Sequence, residues 1–331
     1  MRDLTRTIAV GLAALSLSAF QAVPNELPPR LAALAEDVTA AREFDYMSLK
    51  TEGADVRALS AAAFLRTRID ADNWRCLTEA ETELLAGLSA SAEAADAAAF
   101  AADRASAEAA WARWQAFEAQ VMGGAAISQP PFRYVADRVA MAEAATGPRA
   151  RELLRRAARD QLLRRGWDPG PEVWPEPPSP GASSRYQSLL RRQACEVDSA
   201  NTAWLKADVE ANGWYRISVH GEDATGSAWL MAQHADRDRA FQRHVLGLLE
   251  PLAAEGEVRA ANHAYLYDRL AVAENRPQRY GTQGQCAARG VWEPFELEDA
   301  SRTDNWREQV DIGPLADYAA HMAGACADFE D

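Results

Sequence analysis

The chain has 331 residues, 48% of them hydrophobic, and a formal net charge of −14. That length and apolar content allow two domains with buried cores and exclude a disordered chain. The acidic balance excludes general attraction to nucleic acid or anionic lipid, which rests on clustered cations releasing counterions.

Residues 1–22 read as a secretory signal peptide: Arg2 and Arg6 precede an apolar run from Thr7 to Phe20, and small residues follow before Pro24. The run is shorter than the roughly 20 residues of a membrane-spanning helix. Cleavage after Ala22 or after Ser18 are both open. No later stretch is long and apolar enough to cross a bilayer, so a periplasmic or secreted protein is expected, with no stable membrane insertion after cleavage. Arginine almost replaces lysine, which occurs only at Lys50 and Lys206, and alanine is abundant, as in the product of a GC-rich bacterial genome.

The fold class expected is mainly α, with an N-terminal helical bundle or hairpin over residues 23–146. Pro28 and Pro29 stand where a helix can start, and Leu31, Leu34, Ala35 and Val38 recur at helical spacing. Thr78 and Glu81 have the T-x-x-E form of a capping box, opening a run of helix formers that extends to about Met122. Phe100, Ala107, Trp111, Trp114, Phe117 and Val121 make one stripe along it, read as core packing in preference to a sugar-stacking surface.

Residues 147–331 are expected to form a second, mostly helical domain with at most a short strand. The arginine-dense segment from Gly147 to Trp167 reads as a solvated helix face. A proline-rich insert at 168–183 follows and reads as a linker or surface loop, and then a helix runs to about Ala211 and stops near Gly213. Tyr215, Ile217 and Val219 alternate as in a strand. GEDATG mimics a phosphate-binding loop, but Ser227 and Ala228 stand where a lysine and a hydroxyl are required, which excludes nucleotide binding.

All five histidines, His220, His234, His244, His263 and His321, lie in the last third of the chain. On a continuous helix from Ser227 to Glu250, the residues Leu230, Phe241, Val245 and Leu248 fall within roughly 40° of His234, so His234 is predicted to face the core. A buried imidazole needs partners for two ring nitrogens and titrates near neutrality, which suits either structure or proton transfer. Asp238, one turn on, could share a metal with His234, but nothing fixes further ligands, and no metal or cofactor is expected. Asp268 shares a helix face with Ala261, Ala264, Tyr265, Ala271 and Val272 and needs a partner of its own, Arg269, Arg276 or a helix N-terminus in the structural reading. A polar loop, QRYGTQGQC, follows with Tyr280 and Gln283 suited to hydrogen bonding.

Four cysteines in a chain bound for an oxidising compartment make disulfides plausible, against the alternative of four buried thiols. Zinc spacing is absent. Of the three possible pairings, the one put forward joins Cys286 to Cys326, tying the tail to its domain, and leaves Cys76 and Cys195 to link the two halves.

The segments NTAWLKADVEANGWY, AWLMAQHADRDRAFQRHVL, AYLYDRLAVAENRPQRYGTQ and RTDNWREQVDIGPLADYAAHM resemble domain-of-unknown-function family 6624 over roughly residues 150–322. The chain differs in placing Tyr215 where the family pattern usually has a proline, and in its proline-rich insert. The resemblance implies no reaction, substrate or cofactor. It does imply that Gln233, His234, Asp236, Asp268, Arg269, Tyr280 and Gln283 belong to one recurring unit.

Two functions follow. The first is a ligand-binding or interaction module of the cell envelope, whose partner is a small polar ligand or an envelope protein, with Gln233, Asp236, Arg269, Tyr280 and Gln283 lining a polar pocket. The competing one is a hydrolase-type enzyme with His234 as general base and Asp268 as its orienting or acid partner.

Overall fold

The computed structural model of the protein describes residues 27–65, 75–327 and 329. The expected signal peptide lies outside the described residues. Those described fall into two compact units, one made of residues 27–143 with Ala158–Ser199, the other of Ala144–Ala157 with residues 200–327. Apart from one two-stranded sheet, their regular structure is helical, so the fold is mainly α. Among the described residues no helix is long and apolar enough to cross a membrane.

The first unit begins with α1 (Pro29–Leu34), which starts on the proline pair and buries Leu31 and Leu34. Asp37 then accepts the amides of Thr39 and Ala40 and opens α2 (Val38–Glu43), so the first predicted helix is divided by a cap. Next come α3 (Tyr46–Thr51) and α4 (Val56–Leu65). In α5 (Glu79–Glu93) the capping box is formed: the Thr78 hydroxyl accepts the Glu81 N–H at 3.2 Å, and Glu81 accepts the Thr78 N–H at 2.9 Å. Leu84, Leu85 and Leu88 of α5 pack with Leu31, Tyr46, Leu49 and Leu59 as one apolar core. Asp96 caps a separate helix, α6 (Ala97–Met122), so the long helical run is two helices.

The stripe on α6 is mostly core. Ala107, Trp114, Phe117 and Val121 are buried with Phe132 of α7 (Pro130–Ala144), Leu162 of α8 (Pro148–Arg165) and Tyr186 and Leu190 of α9 (Pro180–Asn212), while Phe100 packs against the other core. The arginines of α8 do not form a merely solvated face: Arg159 pairs with Glu118 at 2.8 Å, and Arg149 with Asp208 at 2.9 Å. The proline-rich stretch is not only surface either. Val173 is fully buried, and its carbonyl accepts Arg113 Nε at 2.7 Å.

The second unit contains α10 (Ile217–Gln233), α11 (Arg239–Ala254) and α12 (Ala260–Ala273), whose apolar faces meet at Leu230, Phe241, Val245, Leu266 and Leu270. The strand expected near Tyr215 is instead the first turn of α10. Glu257 is the reason: its carbonyl accepts Ile217 N–H and its carboxylate accepts both the N–H and the hydroxyl of Ser218, so these groups have no need of a neighbouring strand. Gly221 then breaks the helix with φ 79°. The sheet lies further on, where β1 (Gly284–Ala288) pairs antiparallel with β2 (Val291–Pro294), followed by α13 (Thr303–Gln309) and α14 (Leu315–Met322).

Two disulfides are present, in the pairing put forward. Cys286 of β1 joins Cys326, which is fully buried, and the carbonyl of Cys326 also accepts Gly290 N–H at 2.8 Å. Cys76 joins Cys195, and both lie inside the first unit, where the bond ties the approach to α5 onto α9.

Candidate functional site

The single helix predicted from Ser227 to Glu250 is interrupted at His234, and this corrects the wheel argument. Gln242 Nε2 donates to the carbonyls of Ala232 and Gln233 at 3.1 and 3.2 Å, satisfying the end of α10, while Asp238 accepts Phe241 N–H at 2.8 Å and starts α11. His234 is therefore a half-buried C-cap residue, not a core residue in mid-helix. Its expected stripe neighbours Leu230, Phe241 and Val245 are buried all the same. Asp238 also accepts Lys206 Nζ at 2.7 Å.

Asp236, in the turn after His234, receives a bidentate Arg269 guanidinium from α12, at 2.7 and 2.5 Å. Desolvation works against its charge, but Arg269, helped by the His234 imidazole and Gln242, holds the Asp236 carboxyl down at about 2. Gln233 is almost fully buried, and its backbone carbonyl is taken by Gln242.

Asp268 is fully buried and serves the loop that follows its helix. Its oxygens accept the backbone N–H groups of Arg279, Tyr280 and Thr282 at 2.9, 3.0 and 2.8 Å. Burial pushes its carboxyl above the ordinary range, and these three amides pull the other way. The partner is thus backbone, not the Arg269, Arg276 or helix N-terminus anticipated for it. Gln278 completes the loop: its Nε2 donates to the carbonyls of Gln283 and Phe295, and its Oε1 accepts Gln283 N–H. Arg307 of α13, 1% exposed, donates to the carbonyls of Tyr280 and Gly313, and the Tyr318 hydroxyl donates to the Thr282 carbonyl. The Tyr280 ring meets Tyr267 edge-on at 6.0 Å.

The structure thus brings Asp236 together with Arg269, and Asp268 together with Tyr280; Gln283 is held through Gln278, and His234 borders Asp236. Gln242, Gln278, Thr282, Arg307 and Tyr318 were not singled out in the sequence. A buried arginine such as Arg307 carries no apolar pattern to reveal it, and Gln278 would have been suggested only by its place between Pro277 and the loop.

The other histidines differ. Burial and the neighbouring Arg149 push His220 below its usual range, and burial does the same for His263, whereas His244 and His321 are exposed.

In the first unit, α2, α5, α6, α8 and α9 surround a cavity of about 600 Å³. Five arginines and four glutamates line it, with Trp111, Gln115 and Gln193 among the remainder. Its floor is an ion pair between Arg185 and Glu83 at 2.9 Å, their side chains 5% and 6% exposed. Glu83 also takes Arg42, and Arg185 reaches Glu108, which takes Arg104. On the opposite flank Glu118 accepts Arg159 at 2.8 Å and Gln193 at 2.6 Å. The volume is that of a small-molecule site.

A family model described as a family of unknown function, DUF6624, matches residues 150–327. No curated protein and no solved structure matches the chain.

Proposed function

Because the chain belongs to domain-of-unknown-function family 6624, which carries no assigned reaction, we propose from its geometry that it is a secreted or periplasmic binding module of the cell envelope that takes a small polar ligand. The observation that carries this reading is the charged cavity of the first unit, large enough for a small molecule and furnished with donors and acceptors at its rim. The residues implied by the family resemblance support it as framework: Asp236 with Arg269 secures a turn, and Asp268 secures a loop. A hydrolase built on His234 and Asp268 would ask Asp268 to exchange a proton while its oxygens hold three backbone amides, which favours the binding reading. Two disulfides fit an oxidising compartment.

The test is calorimetry on the full-length protein with a defined panel of amino acids, short peptides, dicarboxylates, sugars and sugar phosphates. Saturable binding of at least one solute, weakened by Glu108→Gln or Arg192→Gln at the cavity rim, is expected. Absence of binding across the panel, or binding indifferent to both substitutions, would overturn the proposal.

A further inference from the structure

We infer that the cavity of the first unit takes a zwitterion, a short peptide with a free ammonium and a free carboxylate; this rests on the binding reading above and names the class of its ligand. The walls decide the class through charge balance. Each of the five lining arginines already holds a carboxylate: Arg42 on Glu79, Arg104 on Glu108, Arg185 on Glu83, Arg192 on Glu196, and Arg159 on Glu118. Glu118 stands behind the lining, and Glu83 and Glu108 each take two arginines, so the cavity presents both signs in near balance, five arginines against four glutamates.

Consider what each kind of guest would meet. An apolar guest would strip water from the seven lining charges other than the buried Arg185 and Glu83 and return no hydrogen bonds, a cost that dispersion does not offset. A simple anion would gain arginine donors but face the Glu83 and Glu108 carboxylates beside them; a simple cation would meet the converse at Arg185 and Arg104. A guest carrying both charges, held apart by a peptide backbone, places each end against the opposite sign and leaves the charge balance of the wall unchanged.

The degree of commitment of the lining groups points the same way. Arg185 and Glu83 are desolvated and spent on each other, whereas Glu79, Glu108 and Glu196 have side chains 48%, 52% and 52% exposed and keep oxygens for an ammonium. Arg159 and Arg192, 47% and 29% exposed, keep N–H donors for a carboxylate. Gln115 in the lining suits a peptide amide, and the half-buried Trp111, also in the lining, suits an apolar side chain. A single amino acid would leave much of the roughly 600 Å³ to water.

The experiment is calorimetric titration of the full-length protein with trialanine in four forms: free, N-acetylated, C-amidated, and blocked at both ends. Free trialanine is expected to bind, with at least tenfold loss on blocking either end and no detectable binding with both blocked. Glu108→Gln and Arg192→Gln should each weaken free trialanine severalfold at an unchanged melting temperature. If a singly blocked form binds as well as the free one, or another panel solute binds while trialanine does not, the zwitterion assignment is wrong and the binding reading stands. If nothing on the panel binds, both are wrong.

Discussion

The backbone N–H of Tyr280 meets both carboxylate oxygens of Asp268, at 3.0 and 3.2 Å, across a separation of twelve residues. With the amides of Arg279 and Thr282 on the same carboxylate, one side chain sets the conformation of the whole loop after α12. Asp268→Ala would strand the buried N–H groups of Tyr280 and Thr282, each costing about 1–3 kcal/mol when unpaired, and the half-buried one of Arg279. A loss near 3 kcal/mol in urea unfolding is expected, because part of the loop will relax toward water. Asp268→Asn should recover only part of this, since its amide nitrogen opposes donors. A loss below about 1 kcal/mol for the alanine variant would mean that the carboxylate does not organise the loop.

Gly281 lies within the same loop at φ 64°, and a Cβ there would come 2.8 Å from Leu315 Cδ1. The positive φ disfavours a larger residue, and an added Cβ would also press the Leu315 side chain of α14 aside. Gly281→Ala is expected to destabilise the protein by about 1–3 kcal/mol, read as a lowered midpoint in urea. An unchanged midpoint would mean that the loop moves freely away from α14.

Much of this fold is legible where the cause is local. The Thr78–Glu81 box, the proline start of α1 and the stop of α9 at Gly213 each need only a few neighbouring residues. The break at His234 is not legible by periodicity, because Leu230, Phe241 and Val245 keep helical spacing across it; the cap residue Asp238 is the signal that marks it. The β1–β2 hairpin is not legible because QCAA and VWEP are short and their turn at Gly290 has no strong signature. Asp268 reads correctly as buried, but its partners are backbone amides, which every residue possesses and no sequence pattern distinguishes. The cavity is harder still, since its arginines and glutamates come from five helices and look in sequence like ordinary solvated faces.

The Asp236–Arg269 pair makes an acid-side prediction. Asp236 has an ordinary pKa of 3.8 and is held at about 2 in the fold, so the folded protein releases this proton more readily than the unfolded chain. Its contribution is therefore complete above about pH 4 and is lost as pH falls toward 2. The Asp236 side chain is 43% exposed, so solvent screening limits the effect to below about 1 kcal/mol. The stability difference between the native protein and Asp236→Asn should be constant at neutral pH and shrink in that acid window. A difference independent of pH would show that the carboxylate's charge is immaterial there.

At the base of the cavity, Arg185 and Glu83 are both desolvated, so removal of one partner leaves a buried charge only partly compensated, Glu83 by Arg42 or Arg185 by Glu108. Arg185→Met is expected to cost about 3–5 kcal/mol. Adding Glu83→Leu should restore much of that loss, limited by the second hold that Glu83 has on Arg42. A double-mutant cycle by denaturant unfolding measures the coupling, and simple additivity of the two losses would contradict a desolvated pair.

The two disulfides are expected to differ in what they hold. Cys76–Cys195 closes a separation of 119 residues and Cys286–Cys326 one of 40, and constraint of the unfolded chain grows slowly with loop length. Replacing either pair by serine should cost about 2–4 kcal/mol, somewhat more for Cys76 with Cys195. Loss of Cys286–Cys326 should also loosen the β1–β2 hairpin, because Cys326 carries both the sulfur partner of Cys286 and the carbonyl that accepts Gly290 N–H. Hydrogen exchange separates the two effects. Faster exchange at Gly290 in the Cys286–Cys326 variant, with slow exchange kept there in the Cys76–Cys195 variant, is the expected pattern, and equal acceleration in both would mean that neither bond acts locally.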